Sequence, residues 1–177
     1  NNYVLVQTLG VSHSIRLPYN TEVVHAIAVV TTSVMMISAG ISHCFETIIL
    51  GPLQLVYLRT LSFMLLIFTV IMFHKYFIKK YKVLTDKFFN VFFPLLFSNS
   101  AILGIALHNS QNVTSVFQAM SHGLGAGVGF SIVLISFANI REKITGPHIP
   151  LHLRGAPIAL ITIGLISMAF SGFRGIV

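Results

Sequence analysis

The stretch that decides the fold is Phe92-Phe93-Pro94-Leu95-Leu96-Phe97-Ser98-Asn99-Ser100-Ala101-Ile102-Leu103-Gly104. It lies inside an uncharged run from Phe88 to Leu107, and about twenty such residues are enough to cross a bilayer. A proline, a Ser-Asn-Ser triplet and a glycine interrupt this run. Because lipid cannot satisfy a broken backbone, the pattern predicts a discontinuous membrane helix that faces protein or a polar cavity. The alternative is a kinked helix whose serines bond to their own carbonyls.

The composition indicates an integral membrane protein. Of the 177 residues, 55% are hydrophobic and only 8% are charged, and the mean hydropathy is +0.86. The net charge of +7 is unevenly distributed, which argues for loop topology and against nucleic-acid binding. The one cysteine, Cys44, excludes an internal disulfide and a CxxC metal site.

Apolar segments predict six transmembrane helices in a single domain over residues 1–177. Residues 3–15 are apolar but too short to span, so we expect them to be the second half of a first helix whose beginning is missing. The other predicted spans are residues 23–45, 56–77, 88–107, 116–138 and 156–173. The fold class is therefore an all-α membrane protein.

Basic residues predict the orientation of these spans. Nine of them follow spans 1, 3 and 5, namely Arg16, Lys75, Lys79, Lys80, Lys82, Lys87, Arg141, Lys143 and Arg154. The opposite side holds only Arg59 and Arg174. The positive-inside rule then places the nine in the cytoplasm and both termini outside.

A short motif occurs twice and predicts an inverted repeat. Gly51-Pro52-Leu53-Gln54-Leu55-Val56-Tyr57-Leu58-Arg59 leads into span 3, and Gly146-Pro147-His148-Ile149-Pro150-Leu151-His152-Leu153-Arg154 leads into span 6. A second echo pairs Leu9-Gly10-Val11-Ser12 with the stretch from Ser98 to Gly104. Two halves of three spans, about 1–87 and 88–177, must have opposite orientations because three is odd.

Four alternating glycines begin span 5: Gly123, Gly125, Gly127 and Gly129. They form two overlapping small-xxx-small pairs, which predict close helix packing. Their spacing does not fit a Rossmann or P-loop motif. The other interpretation is that the glycines let the backbone approach a cofactor.

Titratable residues identify no metal site. None of the eight histidines is assigned as a ligand, because most lie at span ends. The four acids also lie outside the span centres, so a buried-carboxylate ion path has no candidate. Glu46, at the outer end of span 2, either attracts cations or is solvated, and Arg59 is expected to snorkel to the interface.

At these motifs the sequence resembles the RnfA (RsxA) branch of the NqrDE/RnfAE family, and more distantly the E subunit of the sodium-translocating NADH:quinone reductase. The resemblance covers essentially the whole chain. Its matching stretches are residues 1–6 with Leu9-Gly10, Pro52-Leu53 with Tyr57-Leu58-Arg59-Thr60, Phe93-Pro94-Leu95-Leu96 with Asn99 and Ala101-Ile102-Leu103-Gly104, Ile140-Arg141-Glu142-Lys143, and Arg154-Gly155 with Ala159-Leu160-Ile161-Thr162.

The resemblance implies an inverted 3+3 repeat with spans 1 and 4 broken at the midplane, in a bacterial cytoplasmic (inner) membrane. It implies a subunit of a redox-driven Na⁺- or H⁺-translocating electron transport complex, with periplasmic termini. The implied partners are an RnfE-like homologous subunit in the opposite orientation, other Rnf subunits and membrane lipid. In the family, two cysteines from each partner hold a shared [2Fe-2S] cluster, and the resemblance implies that the two subunits relay electrons across the membrane through it.

This chain departs from the family at both cysteine positions, which correspond to Ser12 and Ser100. Thiolate is the usual iron–sulfur ligand, and a serine hydroxyl holds its proton far more tightly. The alternatives are therefore a cluster-free structural relative, or a small inverted-repeat transporter or channel in which Asn99 and Ser98 form a polar constriction at the midplane.

Overall fold

A computed structural model describes residues 21–81, 93–94, 96–97, 99–144 and 155–172. All regular structure within these ranges is helical, in agreement with the predicted all-α class. Ser12, Ser98, the whole of the first predicted span and the second copy of the repeated motif lie outside the described residues. The six-span inverted repeat and the division into two halves therefore remain predictions.

The first two helices are joined by a compact connection. Helix α1 comprises Thr21–Phe45 and continues as a five-residue π-helix, Glu46–Leu50. A turn and a short 3₁₀-helix, Val56–Leu58, then lead into helix α2, Arg59–Tyr81. Within the turn Gln54 has a φ of 54°, a left-handed conformation that is uncommon for a residue with a Cβ.

Three more helices follow in the described part of the chain. Helix α3 comprises Ser100–Asn112, α4 comprises Val116–Ile144, and α5 comprises Ala156–Ser171. Helix α5 begins after Gly155, whose φ of 89° suits glycine, and has a proline in its first turn.

Three of these helical segments are long and apolar enough to cross a membrane: Val24–Leu50, Arg59–Lys80 and Val116–Ile140. They match the predicted second, third and fifth spans. Helix α5 is apolar but has 16 residues, and α3 has 13 residues and extends beyond the predicted end of span 4 at Leu107.

Helix α1 lies at the centre of the described bundle, where it contacts α2, α3 and α4. The largest fully buried side chains include Met35, Phe63, Phe130 and Phe137. Helix α2 instead exposes many apolar side chains, including Leu61, Leu65 and Phe73. Such a surface is normal where lipid or another membrane subunit covers it.

Two of the four glycines let α4 approach α1 closely. A Cβ on Gly123 would lie 2.7 Å from the Cβ of Ala39, and a Cβ on Gly127 would lie 2.8 Å from the Cα of Thr32. A Cβ on Gly125 would meet nothing within 4 Å, and Gly125 is exposed. The pair Gly123 and Gly127 thus packs within this chain, whereas a packing role for Gly125 and Gly129 against another subunit remains a prediction.

Candidate functional site

The uncharged run that was predicted to be interrupted is broken at Asn99. Its backbone is extended (φ −78°, ψ 97°) between helical residues 96–97 and the start of α3. The side-chain Oδ1 of Asn99 accepts a hydrogen bond of 3.1 Å from the backbone N–H of Ala101. Asn99 is therefore the N-cap of α3 and satisfies one of the amides that a helix start leaves without a partner.

The break lies at the mid-height of the neighbouring helix. The ring of Phe97 stacks on that of Phe68 with centroids 4.9 Å apart, and Phe68 is near the middle of α2. Asn99 is buried, and within the described part of the chain its Nδ2 group has no hydrogen-bond partner. The structure thus places an unsatisfied amide at the depth of the middle of α2.

Ser100, the residue at one family cysteine position, is the first residue of α3 and is exposed. The hypothesis that Ser12 lies beside it concerns a residue outside the described ranges. Ser98, which was predicted to contribute to the polar midplane, is also outside them.

Within the described ranges the available donors do not fit an iron–sulfur cluster. Ser100 offers a hydroxyl, and the one cysteine, Cys44, lies in the last turn of α1. That turn is close to Glu46, whose partner Arg59 begins α2, whereas Ser100 lies near the level of the middle of α2. Among the described residues no group of three or more His, Cys, Asp or Glu could hold a metal ion.

An ion pair joins the start of α2 to the end of α1. The Nε of Arg59 donates to Oε1 of Glu46 at 3.0 Å, and the Nη2 of Arg59 donates to the same oxygen. The side chains are only 19% and 13% exposed. The expectation that Glu46 is solvated is therefore wrong, because its carboxylate is largely removed from water and paired with Arg59. That Arg59 snorkels to the membrane interface stays a prediction.

Several buried polar side chains on α1 and α3 were not among the candidates predicted from the sequence. Ser38, Ser42 and Asn109 are each at most 1% exposed. The Nδ2 of Asn109 donates to the carbonyl oxygen of Ala119 at 3.1 Å. Ser38, Ser42 and Glu46 are spaced four residues apart and form a polar row on one face of α1 and its π-helical extension. This spacing is the sequence signal that could have identified them.

A groove of about 560 Å³ lies between α1 and α2. Its lining is almost entirely apolar: Ile37, Ile41, Thr69, Val70, Phe73, His74 and Phe77. The ring Nδ1 of His74 lies 3.0 Å from the carbonyl oxygen of Val70 in its own helix. The groove provides no carboxylate for a cation, whereas the polar row includes Glu46.

Apolar helices long enough to cross a membrane, a capped break beside the middle of α2 and buried polar groups are typical of an integral membrane protein. Over residues 1–177 the sequence matches the family described as "Rnf-Nqr subunit, membrane protein", and the chain belongs to that family. The resemblance seen in the sequence is thereby confirmed.

Three relatives illustrate this membership, and each is named as the A subunit of an ion-translocating oxidoreductase complex. The protein of Pseudomonas aeruginosa (strain LESB58) is 41% identical over 178 residues. Those of Pseudoalteromonas translucida and Alkalilimnicola ehrlichii are 40% and 38% identical over 177 residues. In each comparison the match covers 100% of this chain and 92% of the relative.

Proposed function

We propose that this chain is the A-type membrane component of an ion-translocating electron transport complex, in which redox chemistry elsewhere in the complex drives Na⁺ or H⁺ across the membrane. The observation that carries the proposal is the 41% identity to the Pseudomonas aeruginosa relative over the whole chain. The three long apolar helices provide the membrane part that such a component requires.

The partner proposed for this chain is an RnfE-like homologue of opposite orientation, together with the other subunits of the complex. The exposed apolar face of α2 and the open surface around Gly125 offer area for such packing. The complex would lie in the bacterial cytoplasmic membrane with the termini of this chain outside, as the distribution of lysines and arginines predicts.

Deletion and complementation in native membranes test this function. Electron-donor-driven ion uptake into vesicles should disappear when the chain is deleted and return when it is restored, and a tagged chain should co-purify with redox subunits. Transport that is unaffected by deletion would contradict the proposal. Ion flux through the purified chain in liposomes without any electron donor would instead support the channel alternative.

A cluster-free role within the same complex is the second candidate, and serine at positions 12 and 100 favours it. Thiolates are the ligands that normally hold iron–sulfur clusters, so this chain contributes none at the two positions that correspond to family cysteines. We expect little iron or acid-labile sulfide in the native pair of subunits. The double variant Ser12→Cys and Ser100→Cys should gain both when the partner supplies its own cysteines.

The single variants Ser12→Cys and Ser100→Cys are the matched controls for that measurement. Each should gain much less iron, because one missing thiolate leaves the site open. Stoichiometric iron and sulfide in the native pair would contradict the cluster-free candidate.

A further inference from the structure

Three polar side chains form a row along α1 and its π-helical extension. Ser38, Ser42 and Glu46 are spaced four residues apart, so they lie on one face of the helix, about 5–6 Å from one to the next. Both serines are almost completely buried, and Glu46 is 13% exposed. The row leads from the Arg59 end of α2 roughly two helical turns, or about 12 Å, into the bundle.

The row retains unused hydrogen-bonding capacity. In the described part of the chain the Oγ atoms of Ser38 and Ser42 and the Oε2 atom of Glu46 are buried without a partner. Other hydroxyls of the same segment behave differently: Thr31 and Thr47 donate to the carbonyl oxygen four residues earlier, at 2.8 Å. Buried polar atoms without partners are uncommon in proteins and point to water or an ion.

Two further side chains, Asn109 and His43, also retain unused hydrogen-bonding capacity. Asn109 binds the carbonyl oxygen of Ala119, and a Cβ on Gly40 would lie 2.7 Å from the side chain of the next residue, Met120. Asn109 is therefore at about the height of Gly40 along α1, and its Oδ1 also lacks a partner among the described residues. The Nδ1 of His43, one residue beyond Ser42, is also buried without a hydrogen-bond partner among the described residues.

The spacing of the row suits water. Two hydrogen bonds to oxygen of about 2.8 Å each span about 5.6 Å, close to the separation of successive members. Buried waters make two to four such bonds, and this cluster offers serine hydroxyls, an amide oxygen and a carboxylate oxygen. A helix that changes to π geometry at Glu46 is also a common feature of functional sites.

We infer that Ser38, Ser42, Glu46 and Asn109 line a water-filled half-channel, which opens at the Arg59 end of α2 and admits a monovalent cation to the interior of the bundle. The second oxygen of Glu46 accepts no hydrogen bond from Arg59, which leaves it as an acceptor for water or a cation. Oxygen ligands are those preferred by hard cations. The transport role of the half-channel rests on the proposed function, whereas its hydration does not.

Cysteine accessibility tests the hydration in the intact complex. Replacement of the one native cysteine, by Cys44→Ala, gives a cysteine-free background. Ser38→Cys and Ser42→Cys, tested one at a time, should react with a small, membrane-impermeant methanethiosulfonate. Because the reactive thiolate forms in water, we expect labelling about tenfold faster or more than at a lipid-facing position.

Two controls make the comparison specific. Leu65→Cys places a thiol on the exposed apolar face of α2, at a depth between those of Ser38 and Ser42 when measured from the Arg59–Glu46 pair, and should stay unreactive. Tyr57→Cys, at a residue that is 77% exposed beside Arg59, should react and reports the side from which this end is accessible. The two serine positions should be labelled from the same side as Tyr57→Cys.

The inference is wrong if Tyr57→Cys reacts while Ser38→Cys and Ser42→Cys stay as unreactive as Leu65→Cys. That result would mean that the serine hydroxyls turn back to their own helix carbonyls in a dry interface. If one serine variant does not accumulate in the membrane, the other carries the same test.

A transport measurement separates this inference from the proposed function. Glu46→Gln should slow donor-driven cation uptake about tenfold per assembled complex, because it replaces the carboxylate of the row by an uncharged amide. Uptake at the native rate in this variant would show that the row does not admit the transported cation. A complex that moves no ion in any variant, but whose serine positions are labelled, would overturn the proposed function and leave the water-filled path established.

Discussion

Arg59 and Glu46 hold the two ends of the α1–α2 connection together through hydrogen bonds from the Nε and Nη2 of Arg59 to a single carboxylate oxygen of Glu46. They are thirteen positions apart in the sequence, and both side chains are largely buried. The pair fixes where α2 begins relative to the end of α1. It also leaves one carboxylate oxygen of Glu46 available to other ligands.

Loss of either member of this pair should destabilise the protein. A hydrogen bond to a charged group contributes about 1.5–3 kcal/mol, so Glu46→Gln or Arg59→Gln should lower the apparent midpoint of heat-induced aggregation in detergent. The double variant should lose clearly less than the sum of the two single losses, since the residues interact. Strictly additive losses would show that the pair does not form in the membrane.

The glycines of α4 should differ in their tolerance of a methyl group. At Gly123 a Cβ would also lie 2.8 Å from the carbonyl oxygen of Met35, which cannot move away without shifting α1. Gly123→Ala and Gly127→Ala should therefore each destabilise the chain by about 1–3 kcal/mol. The matched control Gly125→Ala should have little effect on the isolated chain, since nothing lies within 4 Å.

The same heating assay measures these glycine variants, and co-purification of the partner adds a second result. Gly125→Ala that folds normally but fails to assemble would support a role for this glycine between subunits. Equal stability of all three alanine variants would contradict the close approach of α4 to α1.

The stability of the protein should depend on the side-chain oxygen of Asn99. Asn99→Ala removes the hydrogen bond to the backbone N–H of Ala101 and should cost about 1 kcal/mol, the usual contribution of an N-cap. Asn99→Ser keeps an oxygen that can cap the helix and should retain most of the stability. If Asn99→Ser is as unstable as Asn99→Ala, capping is not what Asn99 contributes.

The basic end of α2 should lie in the cytoplasm. Lys79→Cys and Tyr57→Cys in the Cys44→Ala background place single thiols at exposed positions near opposite ends of this helix. An impermeant reagent added to intact spheroplasts should label Tyr57→Cys, and inverted vesicles should expose Lys79→Cys. The reverse result would invert the proposed topology and move the predicted termini to the cytoplasmic side.

Hydrophobic lengths and one polar interruption were enough to predict the class of this protein. A segment such as residues 23–45 predicts a membrane span, because so long an apolar run is sufficient to cross a bilayer. Ser98-Asn99-Ser100 predicted the interruption of the helix, since the side chains of a short polar triplet in an apolar run compete with helical hydrogen bonding. The motifs around Asn99 and Arg59 were sufficient to identify the family.

The tertiary structure decided which polar groups meet and which remain without a partner. Glu46 and Arg59 looked like two separate residues at the ends of two spans, and only the path of the connection makes them an ion pair. Gly123 and Gly125 belong to the same sequence pattern, but the rotation of α4 places only Gly123 against α1. Ser38 and Ser42 are ordinary residues in the sequence, and they become a candidate ion path because helix packing encloses them without satisfying their hydroxyls.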